Sequence, residues 1–359
     1  MTNKNKSNME TNVSRRAFVG SIATLAAAAS IGVQTVLAAQ NSAPMAVSAI
    51  NHMTLAVSDP AASLAWYQGL FGFPIVAHQG GTIVLQVGDG PQFIAIGGNA
   101  SDNPRITHFG LAVDNFDHAE AEQFLAGNGV QAANASAAMQ SRIRLRGEES
   151  GGAANGTPEL YFGDPDGIVV QLQDTSYCGG AGLLGEECLP IAEPASTNGL
   201  LSIREFNHFT LFVTDQARSI RFYQSLFGLP IDTYQGALPV LRVGSGKQFL
   251  ALSGQPTRTS QIHHASLAIE NFDVDRIFSL LESYGLTILG EAGSANGPLQ
   301  AYVTMRGADR GGAIDGTPEL YFTDPDGILM QVQDLSYCGG NGYLGDECGT
   351  VRNPTGRNK

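Results

Sequence analysis

The stretch GGAANGTPELYFGDPDGIVVQLQDTSYCGGAGLLGEEC, residues 151–188, is written a second time over residues 311–348 as GGAIDGTPELYFTDPDGILMQVQDLSYCGGNGYLGDEC. The two 38-residue windows share 28 identical positions at an offset of 160. Each reads as a strand, a tight Asp-Pro-Asp-Gly turn, a second strand bearing two glutamines, and two cysteines ten positions apart. The repeat divides the chain into two homologous units, so a role assigned in one copy is testable in the other.

Working outward, the units span residues 46–190 and 201–351, joined by a linker at 191–200 and followed by a tail at 352–359. Each unit is itself two similar halves. An alternating strand at 50–57 carries His52, and Asp59-Pro60 then caps a helix with Leu64, Tyr67, Leu70 and Phe71 on its apolar face. Gly72 ends that helix, and apolar runs follow at 74–77, 82–87 and 92–96. The second half restarts at 106–113 with His108, then a helix near 116–126 and strands near 141–146, 158–162 and 168–173. The second unit opens its halves at 206–211 with His208 and at 262–267 with His264. The expected class is α+β, four βαβββ modules paired two by two.

The net charge of −13 argues against a nucleic-acid binder, which needs a basic face. At the N-terminus, Ser14-Arg15-Arg16-Ala17-Phe18-Val19 precedes an uncharged segment at 17–39 that closes on small residues. Residues 1–39 read as a twin-arginine export signal, with the translocation machinery as partner and a periplasmic or secreted destination. An uncleaved membrane anchor is the alternative. Folding before export would allow a metal to be loaded inside the cell. In an oxidising compartment Cys178 and Cys188, like Cys338 and Cys348, are expected to form local disulfides, each contributing about 2.5–3 kcal/mol. The rival, a zinc site, has only two cysteines and no nearby histidine to build on.

The module order, the Trp66-Tyr67 and Phe222-Tyr223 helices ending in Leu-Phe-Gly, and the Asp-Pro-Asp-Gly hairpin resemble the vicinal oxygen chelate superfamily. That superfamily includes glyoxalase I, extradiol ring-cleaving dioxygenases, methylmalonyl-CoA epimerase and bleomycin-resistance proteins. The resemblance covers nearly all of the chain after the export segment. It implies that each pair of modules curls eight strands of a mixed sheet into a cup, with any metal on the inner face.

In the superfamily a metal-binding histidine sits on the first strand of a module, which here points to His52, His108, His208 and His264, spaced by 56 in both units. Ring-cleaving members add a glutamate four residues after the hairpin glycine, where this chain has Gln171 and Gln331. The implied set is therefore two histidines and an amide, or a glutamine that only hydrogen-bonds inside the cup. An active-site tyrosine ten residues earlier corresponds to Tyr161 and Tyr321. Glu159 and Glu319 share a strand face with those tyrosines. Each is a candidate fourth ligand or general base, or else a cross-strand partner of Arg146 or Arg306. Residues 92–96 and 248–252 offer no carboxylate, which speaks against the glyoxalase pattern. His78, His118 and His263 lack counterparts in the other unit and read as individual or surface residues.

The resemblance implies a divalent metal, Fe(II) first with Mn, Zn or Cu as alternatives, and a small substrate offering neighbouring oxygens. A ring-cleaving, dioxygenase-like oxygenase is the leading expectation. The alternatives are a non-catalytic binder of the bleomycin-resistance type and a metal-dependent lyase or isomerase, and a homodimer is left open.

Overall fold

The computed structural model describes residues 44–290 and 294–349, so the export segment expected at 1–39 and the tail expected at 352–359 lie outside the described residues. The first unit runs β1 (Val47–Ala56), α1 (Pro60–Phe71), β2 (Ile75–Gln79), β3 (Thr82–Gln86), β4 (Phe93–Ile96), β5 (Arg105–Val113), α2 (His118–Gly127), β6 (Gln131–Ala132), β7 (Gln140–Arg146), β8 (Thr157–Gly163) and β9 (Val169–Asp174). The second repeats the plan as β10 (Ile203–Val213), α3 (Gln216–Phe227), β11 (Ile231–Gln235), β12 (Leu238–Arg242), β13 (Phe249–Gly254), β14 (Gln261–Ile269), α4 (Val274–Ser283), β15 (Thr287–Gly290), β16 (Gln300–Arg306), β17 (Thr317–Thr323) and β18 (Leu329–Asp334).

The helices start where the sequence says they should. The Asp59 carboxylate accepts from the N–H groups of Ala61 and Ala62 at 3.0 and 3.1 Å, and Gly72 closes α1 at φ 70°. Asp117, Asp215 and Asp273 cap the other three helices in the same way.

Each unit is one mixed sheet, ordered β2-β3-β4-β1-β5-β9-β8-β7-β6 and β11-β12-β13-β10-β14-β18-β17-β16-β15. The expectation of eight strands is corrected to nine. The additional strands, β6 and β15, are two and four residues long and pair parallel to β7 and β16. They are too short to display a period of two. At the centre of each sheet β1 runs antiparallel to β5, and β10 to β14, so the two halves of a unit meet at their histidine-bearing strands.

The units pack through one continuous apolar core. Phe109 stacks on Phe209 at 4.9 Å, Trp66 and Phe71 of α1 meet Phe322 of β17, and Phe222 and Phe227 of α3 meet Phe162 of β8. Two glutamines tie the central strands reciprocally. Gln92 accepts from Phe206 N–H and donates to the Ile50 carbonyl, while Gln248 accepts from Ile50 N–H and donates to the Phe206 carbonyl, all at 2.7–2.9 Å.

The Asp-Pro-Asp-Gly turns also cross between units. Asp164 accepts from the hydroxyl of Tyr223 on α3, and Asp324 from that of Tyr67 on α1, at 3.2 and 3.0 Å. Asp166 takes Thr214 N–H, the Thr214 hydroxyl and Arg218 at the start of α3, and Asp326 takes the Ser58 N–H and hydroxyl. A carboxylate at a helix start is favourably placed against the helix dipole, so each turn latches the other unit's first helix.

Beyond β9 the chain folds back over the cup. Tyr177 packs against Phe93 at 5.7 Å, and the Cys178–Cys188 disulfide closes the loop before Leu189 N–H reaches the Val76 carbonyl. Cys338–Cys348 does the same in the second unit. Both expected disulfides are present.

Candidate metal centre

One row of cross-strand neighbours builds the cup floor. In register across the first sheet stand Phe93, His52, Gly110, Gln171, Tyr161 and Arg142. Directly opposed residues point to one face, so all six share the inner face. The second unit presents Phe249, His208, Ser266, Gln331, Tyr321 and Tyr302. His108 and His264 stand two residues before Gly110 and Ser266 on their strands, on the same face.

In the first unit His52 Nε2 and His108 Nε2 each lie 3.1 Å from Gln171 Oε1. What those atoms are follows from their neighbours. Asn51 Nδ2 donates to the Tyr177 carbonyl at 2.8 Å, which turns Asn51 Oδ1 toward His52 Nδ1 at 2.7 Å. An amide oxygen only accepts, so His52 carries its proton on Nδ1. Thr107 Oγ1 donates to the Thr54 carbonyl at 3.1 Å and so accepts from His108 Nδ1 at 3.0 Å. Burial holds both rings neutral, lowering His52 well below the usual histidine value and His108 to about 4. Each Nε2 therefore presents a lone pair toward the same amide oxygen. Three acceptors with no proton between them suit a cation.

The spacing suits one too. Ligands about 2.1 Å from a metal and at right angles to each other lie about 3 Å apart. Among the described residues no three His, Cys, Asp or Glu side chains converge, so a cation held here by three protein donors would take the Gln171 amide as one of them. Phe93 stacks on the His52 ring at 4.5 Å and 3°, and Tyr177 covers it at 5.7 Å.

The second unit departs from this arrangement. Asn207 fixes His208 as Asn51 fixes His52, at 2.7 Å, and Phe249 stacks on it at 4.2 Å. Here, however, His208 Nε2 faces His264 Nε2 directly at 3.3 Å, and both amide atoms of Gln331 are buried without a partner. Burial lowers His208 to about 3 and His264 well below its usual value. Two residues beside the rings differ, His263 for Thr107 and Ser266 for Gly110. A Cβ at Gly110 would lie 2.9 Å from His52 Nε2 and closer still to Cε1 and Nδ1. The second unit carries that Cβ on Ser266, whose buried hydroxyl finds no partner.

His263, expected to be an individual or surface residue, instead supports the site. It stacks on Phe212 at 4.0 Å and meets His264 Nδ1 at 2.8 Å, in the place where Thr107 meets His108. Asn51 and Asn207 belong to the site as well, and their one signal in the sequence is that Asn-His is written twice.

Glu159 is fully buried and takes Arg146 Nε at 2.7 Å, Tyr177 Oη at 2.9 Å and Tyr161 Oη at 3.0 Å. Glu319 repeats this with Arg306, Tyr337 and Tyr321 at 2.7, 2.9 and 3.4 Å. Of the two roles expected for these carboxylates, the arginine pairing is the contact present. Arg146 also donates to the Gly180 carbonyl at 2.8 Å, which anchors the disulfide loop. Tyr161 sits edge-on to His108 at 5.3 Å, and Tyr321 to His264 at 5.3 Å. Burial raises both tyrosines well above the usual phenol value, so they keep their protons.

Solved structures share this architecture. The Mn(II)-bound glyoxalase from Novosphingobium aromaticivorans is 17% identical, with a TM-score of 0.53 over 80% of this chain and 82% of that one. A catechol 2,3-dioxygenase is 16% identical, with a TM-score of 0.54 over 83% and 89%. The 2,3-dioxygenase LapB from Pseudomonas sp. KL28 is 16% identical, with a TM-score of 0.53 over 81% and 93%. At these identities the likeness is one of fold. The sequence itself matches the Glyoxalase/Bleomycin resistance protein/Dioxygenase superfamily twice, over residues 49–172 and 205–332. The chain belongs to that superfamily, as a tandem member with one copy per unit.

Proposed function

We propose that the protein is a metal-dependent, dioxygenase-like enzyme that acts on a small substrate with neighbouring oxygens, ring cleavage being the first-ranked reaction. The observation that carries this reading is the meeting of His52 Nε2, His108 Nε2 and Gln171 Oε1, three acceptors whose protons are held elsewhere. When bound, a divalent metal, Fe(II) first, supplies a Lewis acid and a centre for oxygen activation.

The chain's own residues do the rest. Asn51 and Thr107 fix the ring tautomers, and Phe93 holds the plane of His52. Gln171 contributes no charge, which leaves the bound cation more electrophilic than a carboxylate would. The amide also serves the metal-free protein, since turned over it donates N–H to both imidazole lone pairs. Tyr161 commits its proton to Glu159, so toward a substrate hydroxyl it accepts a hydrogen bond. Tyr177 and the disulfide loop exclude water from the His52 side.

Export through a twin-arginine signal belongs to the same proposal, and the two disulfides are compatible with an oxidising destination. The test is elemental analysis of protein folded in its native cytoplasm, with a stoichiometric divalent metal expected. A protein without such metal, unchanged by the combined His52→Ala and His208→Ala substitutions, sinks the enzyme reading in favour of a ligand-sequestering protein.

A further inference from the structure

The two cup floors differ at two places in their six-residue rows, Gly110 against Ser266 and Arg142 against Tyr302. The second difference changes the chemistry at the mouth. The Arg142 guanidinium lies over the Tyr161 ring at 5.1 Å. Among the described residues it has no ion-pair or hydrogen-bond partner, and its Nε is buried and unsatisfied. Such a cation is unusual in a chain of net charge −13, where acids outnumber bases. Arg144 stands one alternation further along β7, its side chain 45% exposed and 3.7 Å from Glu159.

The open side of the first cup is this one. Tyr177 fills the end near Phe93, and His52 and Gln171 are each 1% exposed, whereas His108 is only half-buried. Arg142 stands two strands from Gln171, about 10 Å at the usual strand spacing. That is the length of an aromatic ring with a hydrogen bond at either end. In the second unit Tyr302 occupies the same row position, stacked on Tyr321 at 5.0 Å and 15°, and residue 304 is threonine where the first unit has Arg144. At these two row positions it presents an aromatic ring and a hydroxyl where the first unit presents two guanidinium groups.

We infer that the first centre takes a substrate carrying a carboxylate opposite its paired oxygens, seated by Arg142, a seat that the second centre lacks because Tyr302 stands in its place. This rests on the chelating function proposed above. An unpaired guanidinium at an aromatic mouth is matched by a planar carboxylate, which it can bind through two parallel N–H···O bonds.

The test is calorimetric titration of the metal-loaded full chain with catechol, 3,4-dihydroxybenzoate and benzoate. At one of the two sites 3,4-dihydroxybenzoate should bind about tenfold to a hundredfold tighter than catechol. Arg142→Tyr, which installs the residue the second unit already tolerates there, should abolish that preference. Arg142→Lys should keep part of it, and Tyr302→Arg should create it at the second site, with circular dichroism confirming that each variant folds. Equal affinity for the two dihydroxy compounds, or a preference that survives Arg142→Tyr, overturns the inference and leaves the chelating reading intact. If neither dihydroxy compound binds, the chelating reading falls and benzoate decides. Benzoate held by the parent and lost in Arg142→Tyr supports the anion seat, and benzoate indifferent to Arg142 overturns it.

Discussion

Replacing Gly110 by serine should displace His52 and cost the first centre metal. A Cβ at this position would come within 2.9 Å of His52 Nε2, and nearer to Cε1 and Nδ1, whereas ordinary contact needs about 3.5 Å. The imidazole has little freedom to yield, being stacked on Phe93 and tied at Nδ1 to Asn51. Relief therefore requires the ring to move by about 1 Å, several times the ±0.2 Å within which metal–ligand distances hold. The ligand is then lost rather than strained, and the cost should be at least the 10–100-fold that removing an outer partner costs. A competitive chelator titration should resolve two classes of site in the parent, with Gly110→Ser weakening the tighter one by at least tenfold. Ser266→Gly should tighten the other. Unchanged affinities in Gly110→Ser would refute both the assignment of His52 as ligand and the steric role given to position 110.

Asn51→Ala removes the acceptor on His52 Nδ1 and bares the Tyr177 carbonyl, so metal affinity should fall about 10–100-fold while Asn207→Ala affects only the second site; a chelator titration that shows parent-like affinity contradicts this. Arg146→Ala leaves Glu159 buried with only the half-exposed Arg144 nearby, and urea unfolding should register a loss of about 3 kcal/mol. Burial raises Asp164 and Asp324 from 3.8 to about 6. The native state thus holds these protons more tightly than the unfolded chain. The stabilisation is complete below about pH 4 and is lost as pH rises through 6, about 3 kcal/mol for each group. Asp164→Asn, which mimics the protonated form, should flatten that slope, and parallel pH profiles for variant and parent would show the reasoning to be wrong.

The sequence exposed what repeats and what alternates. Modules, caps and the four histidines were legible because each depends on local chemistry written more than once, as with Asp59-Pro60 or Asn207-His208. The strands β6 and β15 were not, since two and four residues carry no periodicity. The Asp-Pro-Asp-Gly turn was readable as a hairpin, but nothing local says that Asp164 and Asp166 grip a helix about fifty residues further along the chain, in the other unit. His263 was hidden by comparison between units, because its counterpart Thr107 meets the neighbouring histidine with a different functional group. Glu159 could be narrowed to two roles from its strand face, and only the full environment shows three donors already on its oxygens.

The paired glutamines Gln92 and Gln248 and the crossed latches onto α1 and α3 form an interface in which each contact recurs with the units exchanged. That is the geometry of a twofold dimer, here enclosed within a single polypeptide. Two identical subunits in such a dimer share every substitution. Covalent fusion lifts that restriction, so one copy can carry Gly110 and Arg142 while the other carries Ser266 and Tyr302. The linker is thus what lets a symmetric scaffold hold two dissimilar pockets.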